Sequence, residues 1–247
     1  MALLLPSEPP AFSILNPDAR SPLVLACDHA SNRIPASLDS LGLTAEQLST
    51  HIAWDIGVAR VAEQLSELLD ATLVRQNYSR LVIDCNRPLE APDSIAPRSE
   101  AVEIVANVGL DAVQIEARRR EIFAPYHSAL REVLNTRPAT RLLALHSFTP
   151  VYHGVARPWH TGLLFLRDRR LGQSLLSRLR SDARLHVGEN EPYAMDDASD
   201  YTLIEHGERR GIEHAGIEIR QDLIGDAAGQ HAWALRLATH LRTLPDP

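Results

Sequence analysis

Short apolar runs alternate with amphipathic segments along this chain, and this alternation restricts its fold more than any other feature. Leu23–Cys27 is a run of five apolar residues that ends in polar residues, which is the pattern of a buried strand. After Asp55, apolar residues recur with a period of about 3.6 as far as Leu69, which predicts an amphipathic helix. Strands that alternate with helices form mainly parallel sheets covered on both faces. We therefore predict an α/β fold, a three-layer sandwich around a mainly parallel or mixed central sheet.

The same patterns predict the other elements and the domain organisation. Further strands are predicted at 71–75, 81–85, 141–146, 162–166 and 214–220, and further helices from Thr44, from Asp111 to Leu134 with a bend at Pro125, at 171–179, after a cap at Asp200, and at 228–241. Residues 86–99, 147–158 and 186–199 are predicted to be long loops. We predict a single domain over residues 1–247 with an irregular N-terminal lead-in over residues 1–21.

Composition excludes several classes of function. All 25 basic residues other than histidine are arginines, so chemistry that needs a lysine, such as a Schiff base or a P-loop, is excluded. A net charge of −7 argues against a general nucleic-acid binder. No segment approaches the roughly 18 continuous apolar residues of a membrane span, and the start lacks the basic region of a signal peptide. We therefore expect a cytoplasmic protein, in which Cys27 and Cys85 are buried, unreactive thiols.

Reactive side chains lie at the ends of the predicted strands. His29 follows the first strand by two residues, His146 ends another, and Glu218 lies late in the last one. Because ligands of open α/β sheets bind beyond the carboxyl ends of the strands, we expect these side chains to meet at one edge. Two histidines and a carboxylate are a common ligand set for a catalytic zinc, with a second carboxylate as general base. His29, Asp55 and His146 are therefore the candidate ligands, and Glu218 is the candidate base.

Each of these candidates has a structural alternative. A histidine at a strand end is often a hydrogen-bonded structural residue, and Asp55 could equally be the N-cap of the helix that follows it. Glu218 lies between two isoleucines and needs a partner if it is buried. Arg220, on the same face of the strand, could provide that partner as a plain salt bridge.

Two arginines flank the predicted strand 81–85. Arginine makes bidentate contacts with carboxylates, so Arg80 and Arg87 would suit a small anionic substrate. The alternative is that either arginine pairs with Asp84 and holds the adjacent loop.

Five motifs occur in a characteristic order along the chain. They are CDHASNRIP at 27–35, WDIG at 54–57, YSR at 78–80 with DCNR at 84–87, HSFTP at 146–150, and IEIR at 217–220. Together they resemble the N-formylglutamate amidohydrolase family over roughly residues 22–225. The resemblance implies a phosphorylase/hydrolase-like fold similar to that of zinc carboxypeptidases. It also implies a zinc-dependent amide hydrolase that splits N-formyl-L-glutamate into formate and glutamate in histidine degradation.

The resemblance also implies roles for the residues of these motifs. His29, Asp55 and His146 match the family's metal ligands, and Glu218 matches its catalytic base. Arg80 and Arg87 match arginines that would receive substrate carboxylates. From these motifs we predict a substrate-binding set consisting of Arg80, Asn86, Arg87, Ser147 and Arg220. Zinc (Zn²⁺) is the expected metal, although histidine and carboxylate ligands also suit iron, cobalt or manganese.

Two departures from the family pattern bear on the substrate. The first motif reads DHAS instead of a PHSG-like form, and the segment GERRGIEH at 207–214 lacks a glycine-rich, aromatic stretch. We expect a small anionic N-acyl amino acid as the substrate, with N-formyl-L-glutamate as the leading candidate, and neither nucleic acid nor a membrane as a partner. The alternatives are a related zinc peptidase or peptidoglycan-type amidase, and a non-catalytic module that binds a dicarboxylate.

Overall fold

A computed structural model describes residues 2–137 and 140–244 of the chain. Parts of the predicted domain range 1–247 therefore lie outside the described residues, namely Met1, residues 138–139 and residues 245–247. The strands are β1 (Phe12–Leu15), β2 (Leu23–Cys27), β3 (Thr72–Gln76), β4 (Arg98–Ser99), β5 (Val102–Glu103), β6 (Arg141–Phe148), β7 (Val151–Tyr152), β8 (Val155–Ala156), β9 (Thr161–Leu164), β10 (Val187–Glu189) and β11 (Glu213–Arg220). The helices are α1 (Ala45–Leu48), α2 (Val58–Leu69), α3 (Ala112–Arg118), α4 (Ala124–Asn135), α5 (Arg170–Arg180), α6 (Thr202–His206) and α7 (Ala227–Leu241).

The central sheet is mixed and has seven strands in the order β1-β3-β2-β6-β11-β9-β10. Its middle strands β3, β2, β6 and β11 are mutually parallel. At one edge β1 runs antiparallel to β3; on the other side β9 runs antiparallel to β11 and parallel to β10. The predicted α/β fold with a mixed sheet is confirmed.

Alternate residues of the strands pack against helices on opposite faces of the sheet, because successive side chains of a strand point to opposite sides. In β2, Leu25 belongs to a core formed with α2, α5 and α7. Its neighbours Val24 and Ala26 belong to a second core, formed with α4 and α6. The sheet is therefore the middle layer of a three-layer sandwich, as predicted.

Two predicted elements are wrong in type. Residues 81–85 are buried and largely apolar but fold into turns, in which the N–H of Asp84 donates to the carbonyl of Ser94 at 2.7 Å. An apolar run indicates burial, and here it lies in the second core without joining the sheet. The lead-in 1–21 is not irregular throughout, since Phe12–Leu15 forms β1. This edge strand is only half-buried, so it lacks the continuous apolar run of an interior strand.

The long loops also contain short strands and an unexpected helix cap. The hairpin β7–β8 lies within the predicted loop 147–158, and β10 lies within the predicted loop 186–199. Asp200 does not cap α6; its carboxylate accepts from the N–H of Asp196 at 3.0 Å. The side-chain oxygen of Asn86 accepts from the N–H of Thr202 at 3.0 Å, so the start of α6 is capped from another part of the chain.

The helix predicted from Asp111 to Leu134 is present and is interrupted as expected near Pro125. Asp111 begins α3 in a capping box with Gln114. A single widened, π-helical turn at Arg119–Phe123 joins α3 to α4 directly before Pro125. Proline has no N–H to continue the helical ladder, and a widened turn accommodates the missing bond. Among the described residues, no helix has the length and apolarity needed to cross a membrane.

Candidate metal centre and active site

His29, His146 and Glu218 meet at the carboxyl edge of the parallel strands, as the sequence predicts. His29 follows β2 by two residues, whereas His146 lies in β6 and Glu218 in β11. In the parallel register of these two strands Glu218 is paired with His146. Because paired residues of neighbouring strands project to the same face, both side chains point to the side of the sheet that α4 and α6 cover.

Asp55 lies between the two histidines. Its Oδ2 atom is 3.0 Å from Nδ1 of His146 and 3.4 Å from Nδ1 of His29, and it accepts from the N–H of Ser147 at 3.2 Å. One donor atom from each of His29, Asp55 and His146 lies within 4.8 Å of the other two. These three residues could therefore hold one metal ion between them.

The turn after Asp55 explains why its carboxylate faces the histidines. The N-cap of α2 is Gly57, so the alternative that Asp55 caps this helix is wrong. Gly57 has φ +82°, and a Cβ atom at this position would lie 2.1 Å from the carbonyl oxygen of Ile224. Only glycine fits such a turn without strain, and the turn leaves the Asp55 carboxylate free for the site.

Glu218 is buried without an ion-pair partner from its own strand. It is 5 % exposed, and its Oε2 atom has no hydrogen-bond partner among the described residues. Arg220 instead pairs with Asp222 at 2.8 Å, so the salt-bridge alternative for Glu218 is wrong. Burial raises the pKa of Glu218 to about 7; nearby His146 opposes this shift and Asp55 adds to it. A carboxyl group with such a pKa can both take up and return a proton at neutral pH.

Opposite charges tune the pKa values of the central residues. Burial alone would raise the pKa of Asp55, but His29 and His146 more than offset it and the pKa lies below its ordinary value. Burial alone would lower the pKa of His146, yet contacts with Asp28 and Asp55 raise it well above its ordinary value. The imidazoles and carboxylates, which are almost fully buried, therefore stabilise each other's charged forms.

The donor set fits a divalent cation. Asp28, Asp55, Asp84 and Glu218 are all buried here, and four carboxylates against the one guanidinium of Arg80 leave a formal charge of −3 when the histidines are neutral. In addition, Nδ1 of His29 is buried without a hydrogen-bond partner in the described part of the chain. Unpartnered buried donor atoms and excess negative charge are both unfavourable, and a bound cation would remove both penalties.

A cavity of about 600 Å³ opens above these residues. Arg80 and Arg87 both line it, which is consistent with the predicted substrate-binding set. The guanidinium of Arg80 also pairs with Asp84 at 2.6 Å, so the structural alternative applies to this arginine. Arg87 instead pairs with Asp93 at 2.8 Å and donates to the carbonyl of Ser199 at 2.7 Å.

Of the other predicted substrate contacts, the structure places two at the cavity and one away from it. Asn86 and Ser147 line the cavity, where the hydroxyl of Ser147 donates to the carbonyl of Ile56 at 3.0 Å. Arg220 is not among the residues that line it, and its ion pair with Asp222 holds it elsewhere. The position of Arg220 therefore does not support its predicted role as a substrate contact.

Several residues of the site were not singled out from the sequence. Asp28 lies 3.4 Å from His146, and Tyr152, Tyr193 and His51 line the cavity. A signal was available for Asp28, because a charged residue directly after a buried strand requires buried partners. The aromatic residues carry no such signal, since their approach to the cavity depends on how their loops fold.

The fold and this cluster define an α/β protein with a buried His–Asp–His site beside the buried carboxylate of Glu218. The sequence model of the N-formylglutamate amidohydrolase family matches residues 21–225, which is most of the chain. The protein therefore belongs to the N-formylglutamate amidohydrolase family, a family of amide hydrolases, and the resemblance seen in the five motifs is confirmed.

Two solved structures are similar over nearly their whole length. Gene product Atu2144 from Agrobacterium tumefaciens is 38% identical, with a TM-score of 0.94 and coverage of 97% of this chain and 96% of that one. N-formylglutamate amidohydrolase from Ralstonia eutropha JMP134 is 22% identical, with a TM-score of 0.65 and coverage of 94% and 98%. The second likeness concerns the fold alone. Comparison with curated proteins gives no significant match.

Proposed function

We propose that this protein is a zinc-dependent amidohydrolase that cleaves the amide bond of a small acidic N-acyl amino acid. The leading candidate substrate is N-formyl-L-glutamate, which would yield formate and L-glutamate. The observation that carries the proposal is the convergence of His29, Asp55 and His146, with donor atoms within 4.8 Å of one another, beside the buried carboxylate of Glu218. Membership of the N-formylglutamate amidohydrolase family supports the amide as the bond that is cleaved.

His29, Asp55 and His146 would hold the metal. A zinc ion bound there supplies a Lewis acid that polarises the scissile carbonyl and makes water more acidic. The main chain holds the three ligands in place, because the N–H of Asp55 donates to the carbonyl of His29 at 3.0 Å and the N–H of Ser147 donates to the carboxylate of Asp55. Such fixed ligands need little rearrangement when the substrate binds.

Glu218 acts as general base and then as general acid. It takes a proton from the attacking water as the new C–O bond forms, and it gives that proton to the leaving nitrogen as the C–N bond breaks. The products are a carboxylic acid and an amine, and no further reactant is required. A pKa of about 7, raised by burial, suits a group that must do both at neutral pH.

Arg80 and Arg87 would orient the substrate through its carboxylates. Both line the cavity, and both guanidinium groups are only about one quarter exposed. Hydrogen bonds between arginine and carboxylate are stronger and better defined in such partly dry surroundings. This arrangement favours an acidic substrate over a neutral one of the same size.

The test is hydrolysis of a panel of substrates by the purified protein with and without a chelator. N-formyl-glutamate should be cleaved faster than N-formyl-glutamine, which lacks the second carboxylate. Chelation should abolish turnover, and added zinc should restore it. Preferred cleavage of peptides or muropeptides would favour the peptidase or cell-wall amidase alternative. Tight binding of glutamate without any turnover would favour the non-catalytic alternative.

A further inference from the structure

The two histidines of the site have matching surroundings. Each points Nδ1 towards Oδ2 of Asp55, at 3.4 Å for His29 and 3.0 Å for His146. Each points Nε2 towards a second buried carboxylate. For His29 this is Oδ1 of Asp84 at 2.7 Å, and for His146 it is Oδ2 of Asp28 at 3.4 Å. A neutral imidazole that binds a metal through one nitrogen carries its proton on the other, so both carboxylates lie where that proton would be.

Asp28 is held firmly in this place by residues from two helices. It is 1 % exposed, and its Oδ1 atom accepts from the hydroxyl of Tyr126 in α4 at 2.7 Å and from that of Thr202 in α6 at 2.8 Å. Its Oδ2 atom, in contrast, has no hydrogen-bond partner among the described residues. A buried carboxylate oxygen is costly without a donor, and this oxygen faces the ring of His146.

We propose that Asp28 is a positioning residue for His146. Its Oδ2 atom accepts the Nε2 proton of His146 and thereby leaves Nδ1 as the atom free to bind the metal. The carboxylate thus selects the tautomer and fixes the plane of the ring, as Asp84 does for His29. This role deepens the proposed function and rests on it for the presence of a metal. It concerns Asp28, the first of the positions at which the motif DHAS departs from the PHSG-like form.

The competing view is that Asp28 only anchors α4 and α6 to the end of β2. The two views differ in what the free oxygen does. An anchor needs only Oδ1 with its two hydroxyl donors, and its loss would lower the stability of the fold. A positioning residue needs Oδ2, and its loss would lower the affinity for metal even when the fold is intact.

The variant Asp28→Asn tests this difference, because it keeps the shape of the side chain and removes the charge. Zinc affinity is measured by competition with a chelator on the full chain, and thermal unfolding of the metal-free protein is measured in parallel. We expect zinc to bind about 10- to 100-fold more weakly, the loss typical of removing a carboxylate that supports a metal-binding histidine. Glu213→Gln is the matched control, since Glu213 lies at the opposite end of β11, pairs with Arg141 and should leave zinc affinity unchanged.

A second readout reports the tautomer directly. In long-range ¹H–¹⁵N spectra of the zinc-loaded wild-type protein, His146 should carry its proton on Nε2. In Asp28→Asn this proton should exchange faster with water and shift upfield, because its acceptor is no longer charged. An unchanged His146 signal together with zinc affinity within about twofold of wild type, well short of the expected loss, would overturn the proposal. A loss of stability with unchanged affinity would identify Asp28 as an anchor only.

Two gentler variants cover the case in which Asp28→Asn does not fold. Tyr126→Phe and Thr202→Val each remove one hydroxyl that holds Asp28 and leave its carboxylate in place. Each should weaken zinc binding, though less than loss of the carboxylate, and unchanged affinity in both variants would overturn the proposal.

The outcomes also separate the role of Asp28 from the proposed function of the protein. If the wild type binds zinc and hydrolyses the substrate while Asp28→Asn binds zinc equally well, only the role of Asp28 is lost. If the wild type binds no divalent metal, both are lost.

Discussion

Glu218 of β11 is paired in parallel register with His146 of β6, so the candidate base and a candidate metal ligand project side by side from one face of the sheet. Gly162 of β9 lies opposite Glu218 on the other side, in antiparallel register. A glycine there leaves no side chain next to the carboxylate on that strand. The pairing of three strands thus sets the position of Glu218.

Replacing Glu218 by glutamine should abolish turnover and leave metal binding intact. The amide cannot accept the proton of the attacking water, and loss of a general acid–base group typically lowers the rate by about 10²- to 10⁴-fold. Steady-state kinetics and elemental analysis of metal content measure the two effects. Glu213→Gln, on the same strand but away from the cavity, is the control. Wild-type turnover in Glu218→Gln would remove Glu218 from the role of base.

Replacing Arg87 by lysine should weaken the selection of acidic substrates. Lysine keeps the charge but lacks the planar fork that binds a carboxylate through two hydrogen bonds. We expect kcat/KM for N-formyl-glutamate to fall about 10- to 100-fold, the value of one hydrogen bond to a charged group. The loss should be much smaller for N-formyl-glutamine. Arg184→Ala, which removes a surface ion pair with Asp182, should change neither value. An equal loss for both substrates would show that Arg87 only supports the fold.

Replacing Gly57 by alanine should damage both stability and metal binding. The residue has φ +82°, and the added Cβ would overlap the carbonyl oxygen of Ile224 at 2.1 Å. Gly211→Ala is the matched control, because Gly211 has φ +66° and no atom of the described residues lies within 4 Å of the position its Cβ would take. The control should lose only the strain of a left-handed backbone, about 1–2 kcal/mol. Gly57→Ala should lose more in thermal unfolding and should also bind zinc more weakly, since Asp55 lies two residues before it. Equal losses in the two variants would contradict this.

The buried pair His127 and His206 should make the protein less stable in mild acid. Their rings are joined by a 3.0 Å contact between Nδ1 of His127 and Nε2 of His206, and burial lowers their pKa values to about 3 and about 4. Both stay neutral in the folded state while the unfolded chain takes up protons below its ordinary pKa of 6.5. The stability that the two neutral histidines contribute is therefore fully present above pH 6.5. It is lost as the pH falls towards their folded-state pKa values. Between pH 6.5 and pH 5 the loss is about 2 kcal/mol for each histidine.

Urea unfolding at pH 7 and at pH 5 measures this loss. In His206→Gln the amide can still donate to His127, but one titrating group is gone, so the stability difference between the two pH values should shrink by about 2 kcal/mol. His231→Gln is the control, because His231 is exposed on α7. An unchanged pH dependence in His206→Gln would mean that other groups cause the acid sensitivity.

Much of the fold follows from local patterns. Leu23–Cys27 and Arg141–His146 are apolar runs of strand length, and both form neighbouring strands of the sheet. The pattern failed at 81–85, where the apolar residues are buried in turns, because burial and not backbone conformation is what an apolar run records. It failed again at Phe12–Leu15. This edge strand has no continuous apolar run, and its antiparallel pairing with β3 holds it in the sheet.

For the candidate site, too, the sequence predicts some features and not others. His29, Asp55, His146 and Glu218 could be named from the sequence, because each lies in a motif and strand ends meet at one edge of an α/β sheet. Whether Arg220 would partner Glu218 could not be decided from the sequence, since Arg220 lies on the same face of that strand; the structure pairs Arg220 with Asp222 instead.

The sequence by itself therefore determined the α/β layering and the four central residues, because periodicity and order along the chain are local properties. Only the tertiary structure decided which partners those residues have. Asp28 receives its hydrogen bonds from Tyr126 and Thr202, which are 98 and 174 residues away along the chain. Buried polar groups must find partners wherever packing brings them, and such distant contacts leave no periodic trace in the sequence.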